Sequence, residues 1–180
     1  MIEYALKDGC TLAISRPRAA DAAEIVAHFK AVGGETDFLL FNGSGLPLTI
    51  KEEEEYVEKL FRHPRNALFI GRIDNEIALA CNIKANTSVR TRHNASIGIT
   101  VRKAFWGLGI GSAALQHLIG HAKRVHVTII NLEVNAENPR AIALYERFGF
   151  EHIGRHHNHV CINGRYYDEL RMELHLTNWE

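Results

Sequence analysis

The chain has little cysteine, no charge imbalance and no long apolar run, and each absence narrows its chemistry. Its three cysteines, Cys10, Cys81 and Cys161, are odd in number, far apart and free of any C-x-x-C pair. That excludes a disulfide framework and a zinc ribbon, and predicts reduced, mostly buried thiols in a cytoplasmic protein. Lys and Arg number 21, as do Asp and Glu, for a formal net charge of zero. Such a balance gives no reason to expect nucleic acid or an acidic membrane surface as a main partner. No apolar stretch reaches the roughly 18 residues of a membrane helix. The opening MIEYALKDGC lacks a basic region followed by an apolar run, so no secretory leader is expected. Linkers, internal repeats and low-complexity tracts are also missing. The expectation is therefore a single domain over residues 1–180, large enough for a proper core.

Two motif classes are missing as well. No H-E-x-x-H occurs, and the cluster His156, His157, His159 in RHHNH has no partners at metal-ligand spacing. No metal is expected, and the cluster reads as a solvated strand end or part of a substrate pocket. No Lys follows Gly111, so the Walker pattern Gly-Lys-[Ser/Thr] is absent. Gly109 to Ala114 fits G-x-G-x-x-[Gly/Ala] literally. A dinucleotide domain, however, places that motif after its first strand, with further βα units behind it. Here the loop comes late in the chain, so an NAD-binding oxidoreductase is a poor reading.

What is present centres on Ser96 to Lys123. Ile97, Ile99 and Val101 alternate with small or polar residues, as in a strand. Gly107, Gly109 and Gly111 follow at every second position. Ala114, Leu115, Leu118, Ile119 and Ala122 then recur at helical steps. Glycines let the backbone turn tightly, and N–H groups at a helix start can hold phosphate. The stretch reads as a phosphate cradle or as a plain strand-to-helix turn.

The rest of the chain supplies an α/β frame. Thr11 to Ser15 reads as a strand, and Ala20 to Val32 as a helix closed by Gly33-Gly34. Glu35 to Leu48 has no period and reads as a loop whose Phe38 to Phe41 run needs cover. Thr49 with Glu52 forms a capping box for a helix that buries Ile50, Tyr56, Val57, Leu60 and Phe61. The acidic run Glu52 to Glu55 reads as its solvated start rather than a metal or amine site. Strands are expected at 67–73, 76–85, 95–101, 127–134, 150–155 and 166–174, with turns at Asp74-Asn75 and Asn163-Gly164. Asn138-Pro139 opens another helix, which Gly149 ends. The sum is a mixed, mostly antiparallel sheet of six or seven strands flanked by about four helices.

Two motifs together resemble the GNAT superfamily of N-acetyltransferases. Val101-x4-Trp106-Gly107-Leu108-Gly109-Ile110-Gly111 is similar to its acetyl-CoA loop. Asn135 to Phe150 is similar to its second signature, N-x-x-A-x-x-L-Y-x-x-x-G-F. The resemblance covers about residues 11–175 and implies a sheet splayed into a V between the strands at 95–101 and 127–134, with acetyl-CoA in the cleft. It implies cofactor contacts from Ile99, Thr100 and Val101, from Trp106, Gly107, Leu108, Gly109, Ile110, Gly111 and Ser112, and from Asn138 and Tyr145. It implies an acyltransferase moving an acetyl group to a primary amine by direct attack in a ternary complex. The acceptor is a small amine, an amino acid, a polyamine or a protein N-terminus. Homodimers accord with the family.

Tyr145 is the expected general acid and Glu133 the foremost of several candidate bases, with His93, Glu35 and bulk water as the others. Glu35 and Phe38 are expected to bind the acceptor, with Asp37, Asp168, Tyr166 and Tyr167 in the same wall. Two departures stand out. Trp106 replaces an Arg or Gln common in relatives, and Ser96 replaces a Glu that often acts as base. The second keeps an alternative open, a non-catalytic acyl-CoA-binding regulatory protein.

Overall fold

The computed structural model describes residues 1–176. The last four residues of the expected domain lie outside them. The strands are Ile2–Ala5 (β1), Thr11–Ser15 (β2), Ala67–Ile73 (β3), Glu76–Ala85 (β4), Asn94–Val101 (β5), Ile129–Asn135 (β6), Glu151–Ile162 (β7) and Arg165–His175 (β8). They form one sheet in the order β1-β2-β3-β4-β5-β6-β8-β7, antiparallel throughout except for β5 and β6. The strand beyond the predicted count is β1, a four-residue edge too short to show a period. Both predicted hairpin turns form on left-handed residues, Asp74-Asn75 and Asn163-Gly164.

Four α-helices cover the sheet: Ala22–Glu35 (α1), Ile50–Arg62 (α2), Ile110–Arg124 (α3) and Pro139–Arg147 (α4). Alternation along β3 sends Leu68 and Ile70 to one face, where Ile25 of α1 and Val57 and Leu60 of α2 cover them. Ala67 and Phe69 point to the other face, under Leu115 and Leu118 of α3, with Leu144 and Tyr145 of α4 packed beside them.

Two helical expectations are corrected. The Gly33-Gly34 pair does not end α1, which runs through it to Glu35. The glycine serves close approach instead, since a Cβ at Gly33 would lie 2.1 Å from the Asn42 carbonyl oxygen of the following loop. The α2 capping box forms as expected, with the Thr49 hydroxyl accepting from the Glu52 N–H and the Glu52 carboxylate accepting from the Thr49 N–H. The buried face, however, is Glu53, Val57 and Leu60, while Ile50, Tyr56 and Phe61 stay exposed. Steps of four and three put those three on one stripe. One member of the acidic run is thus buried, not solvated.

The site is opened by a failure of pairing. β5 and β6 pair only at Asn94↔Ile129, Ala95↔Ile130 and Ser96↔Asn131. Beyond Ser96 and Asn131 both strands continue without pairing to each other, and residues of both line one cleft.

Candidate active site

The cleft has a volume of about 1150 Å³ and runs between β5 and β6. One half is built from backbone. The edge of β5 from Ile97 to Val101 has no strand partner on the β6 side, which leaves it able to accept an extended arm as an added strand. At its end Gly107 and Gly109 take φ of 91° and 97°, a region that strains any residue with a Cβ. The turn delivers the chain into the N-terminus of α3, where Ile110, Gly111 and Ser112 line the cleft; the Ser112 N–H donates to the Gly109 carbonyl at 3.0 Å, which leaves the Ile110 and Gly111 N–H groups for a ligand. Gly111 also allows α3 to meet α4, because a Cβ there would lie 2.8 Å from Leu144 Cδ2.

Cations gather at this end. The Trp106 indole N–H donates to the Val101 carbonyl at 2.8 Å, and the Arg140 guanidinium stands 4.9 Å over its ring. The Arg147 guanidinium donates to Ser112 Oγ at 2.8 Å. Both arginines line the cleft. Trp106 therefore brings no charge itself but seats Arg140 beside the loop. Unpaired strand edge, glycine turn, helix N-terminus and two arginines together fit an extended arm joined to a pyrophosphate. Acetyl-CoA has that form.

Of the expected cofactor contacts, all line the cleft except Leu108, whose carbonyl accepts from the Lys7 N–H at 3.1 Å. Asn138 caps α4 with its side-chain oxygen on the Ala141 N–H, leaving its amide NH2 available. Tyr145 lies on the cleft side of α4 with its ring edge-to-face on Phe150. Burial pushes its hydroxyl up to about 12, so it stays protonated at working pH.

The other half of the cleft is made of side chains and is acidic. Glu133 of β6 lies 3.8 Å from His156 Nδ1 and 3.7 Å from Arg171 Nε. Sequence reasoning missed its neighbour Glu169. The register of β8 sets Glu169 opposite Asn135 on β6 and His156 on β7, and only 4% of it is exposed. Its Oε2 is buried without a hydrogen-bond partner, 3.5 Å from His159 Nε2. Burial first, and then the charge of Glu133, raises it above the ordinary carboxylate range. A β-bulge between His156 and Val160, with Asn158 at φ 53°, brings His156 and His159 to one side, rings 4.9 Å apart. Ligand atoms of His156, His159 and Glu169 all lie within 4.8 Å of one another.

Several expected acceptor residues sit elsewhere. Both Glu35 oxygens are engaged, one by Arg102 Nε at 2.9 Å and the other by the Lys103 N–H at 2.7 Å, and Glu35 does not line the cleft. Asp168, one residue from Glu169, points the other way, toward the Asn158 N–H, His157 and Arg155, and the Asn158 N–H holds it below the usual carboxylate range. Asp37, His93, Tyr166 and Tyr167 are also outside the lining, whereas Phe38 and Ser96 belong to it.

Residues 40–150 match the model of the Acetyltransferase (GNAT) family. A GNAT-family acetyltransferase from Streptococcus pneumoniae superposes with a TM-score of 0.87 at 30% identity, covering 91% of this chain and 99% of that one. A Salmonella typhimurium protein solved with its cofactor acetyl-CoA shares the fold at TM-score 0.78 and 18% identity, over 92% and 94% of the two chains. The L-amino acid N-acetyltransferase AaaT of Escherichia coli (strain K12) is 28% identical over 116 residues, 64% of this chain and 72% of that one. Among the described residues, no helix is long and apolar enough to cross a membrane. Fold, cradle and family match agree: the chain belongs to the GNAT acetyltransferase family.

Proposed function

We propose that the protein transfers the acetyl group of acetyl-CoA to a primary amine by direct attack in a ternary complex. The observation that carries this is one cleft holding the cradle, a protonated Tyr145 and a buried carboxylate, Glu169. When bound, acetyl-CoA supplies an electrophilic thioester carbonyl. An ammonium must first lose its proton, and Glu169, which is more basic than a free carboxylate, takes it with His159 alongside. Glu169 so fills the role that Ser96 lacks, with Glu133 beside it. The nitrogen–carbon bond then forms, the carbon–sulfur bond breaks with its electron pair on sulfur, and the second proton of the attacking nitrogen leaves to the departing thiolate or to solvent. Tyr145 donates a hydrogen bond to that sulfur. Its pKa near 12 exceeds a thiol's ordinary value of about 8.5, so it stabilises the thiolate more than it protonates it.

Thiol release from acetyl-CoA, measured across a panel of primary amines, tests the reading. Thermal melting with acetyl-CoA, CoA, ATP and NAD accompanies it. Release with an amine and a melting shift with both CoA forms are expected. A shift with NAD alone would overturn the proposal, and a shift with acetyl-CoA but no release from any amine would leave a binding-only regulator.

A further inference from the structure

A third carboxylate in the cleft, besides Glu133 and Glu169, has no counterpart in the chemistry above. Glu53 lies in the first turn of α2, only 2% exposed, and its Oε1 is buried without a hydrogen-bond partner. No ion pair reaches it among the described residues. The same cleft is lined by Phe29, Val32, Leu68 and Tyr56, the last close enough to feel the charge of Glu53. Burial alone raises it above the ordinary carboxylate range. A carboxylate held unpaired against an apolar wall destabilises the free protein, and native structures rarely keep one without reason. The cleft cations do not answer it: Arg140 and Arg147 stand by Trp106 and Ser112, Arg171 is beside Glu133, and Lys7, the other cation of the lining, makes no ion pair with it.

Glu53 and Glu169 lie on different walls of the same cleft, one on α2 and the other on β8. Apolar and aromatic side chains, Phe38, Leu39 and Tyr56, share the lining with them. An acceptor with a single ammonium can answer only one of the two. A carboxylate on the acceptor would meet like charge at either.

We infer that the acceptor carries a second positive charge besides the reacting amine, joined to it by an apolar spacer. Glu169 receives the reacting nitrogen and Glu53 binds the distal cation. The inference rests on the transferase reading and names its substrate class. A diamine is the simplest member, since its methylenes suit the apolar wall and each end donates a charge-assisted hydrogen bond.

The experiment compares three probes of similar length in the thiol-release assay, using the full chain. They are 1,5-diaminopentane, pentylamine and 6-aminohexanoate, which end in ammonium, methyl and carboxylate. The diamine is expected to show a KM about tenfold or more below that of pentylamine, the ratio for a charged hydrogen bond of roughly 1.5 kcal/mol or more. The aminohexanoate should be poorest. Glu53→Gln should raise the diamine KM about tenfold and leave kcat and the pentylamine KM within about twofold. Melting with acetyl-CoA checks that this variant is folded. Equal KM for diamine and pentylamine, or an undiminished gap in the folded variant, overturns the inference while amine release still supports the transferase. Release from no amine at all removes both together.

Discussion

The two halves of the cleft are built on different principles. The half proposed for the cofactor offers mainly backbone: an unpaired strand edge, two glycines at positive φ and a helix N-terminus. The half proposed for the acceptor offers charged side chains from separate elements, Glu53 on α2, Glu133 on β6 and Glu169 on β8. Backbone recognition tolerates change in side chains: Trp106 carries no charge itself, and Arg140 stands over its ring. Recognition by buried carboxylates such as Glu53 and Glu169 has no such tolerance, because an unanswered buried charge is destabilising. Specificity for the acceptor therefore concentrates in a few residues, and substitutions there should be read in turnover and KM rather than in acetyl-CoA affinity.

The largest effect is expected where the halves meet. Tyr145→Phe removes the hydrogen bond to the leaving sulfur and should lower kcat about a hundredfold. The dissociation constant of acetyl-CoA by calorimetry should hardly move. Unchanged turnover would sink the role of Tyr145, and a large loss of affinity would move it into the cofactor half. Next, Glu169→Gln should reduce kcat/KM about tenfold or more near neutrality. Its raised pKa also gives wild type an acid limb, with activity rising as pH climbs above the usual carboxylate range and Glu169 ionises. The Gln variant should lack that limb. Should its pH profile retain the limb at full height, Glu133 or water is the better base.

The same contrast explains what the sequence made legible. The cradle is local. A strand, three glycines and a helix follow one another within thirty residues, and spacing alone locates them. The acceptor wall is not local, and its members are fixed by register. Asp168 and Glu169 are adjacent, and strand alternation sends only one of them into the cleft. Composition cannot choose between them, whereas pairing with Asn135 does. The histidines depend on a bulge in the same way. Three positions apart, His156 and His159 would face opposite sides of a regular strand, and the kink at Asn158 reunites them. Glu53 was hidden for another reason. An acidic residue in the first turn of a helix suits the dipole, so exposure is the ordinary expectation. A helical stripe of Glu53, Val57 and Leu60 was the available signal against it.

Smaller effects test each half on its own ground. Arg140→Ala should weaken acetyl-CoA binding about fivefold, by removing a charge seated on Trp106 near the loop. The loss should shrink as salt is raised. With binding unchanged at low salt, the arginine is only a surface partner of the indole and the backbone alone holds the phosphates.

The smallest expected effect is on stability, and it bears on the acceptor half. Glu53 has a raised pKa in the folded chain. For such a carboxyl, the stability contribution is whole below its unfolded value of about 4.3 and is lost as pH rises through the folded value. At neutral pH the ionised side chain therefore opposes folding, although the α2 N-terminus offsets part of this. Glu53→Gln keeps the shape and cannot ionise. It should match wild type near pH 4 and melt about 2–4 °C higher at pH 7, the shift for roughly 1 kcal/mol in a domain of this size. A substitution that stabilises the fold while impairing use of a dication is the pattern of a residue kept for its ligand. If wild type instead melts higher at neutral pH, Glu53 has a structural partner, and the asymmetry between the two halves loses one of its supports.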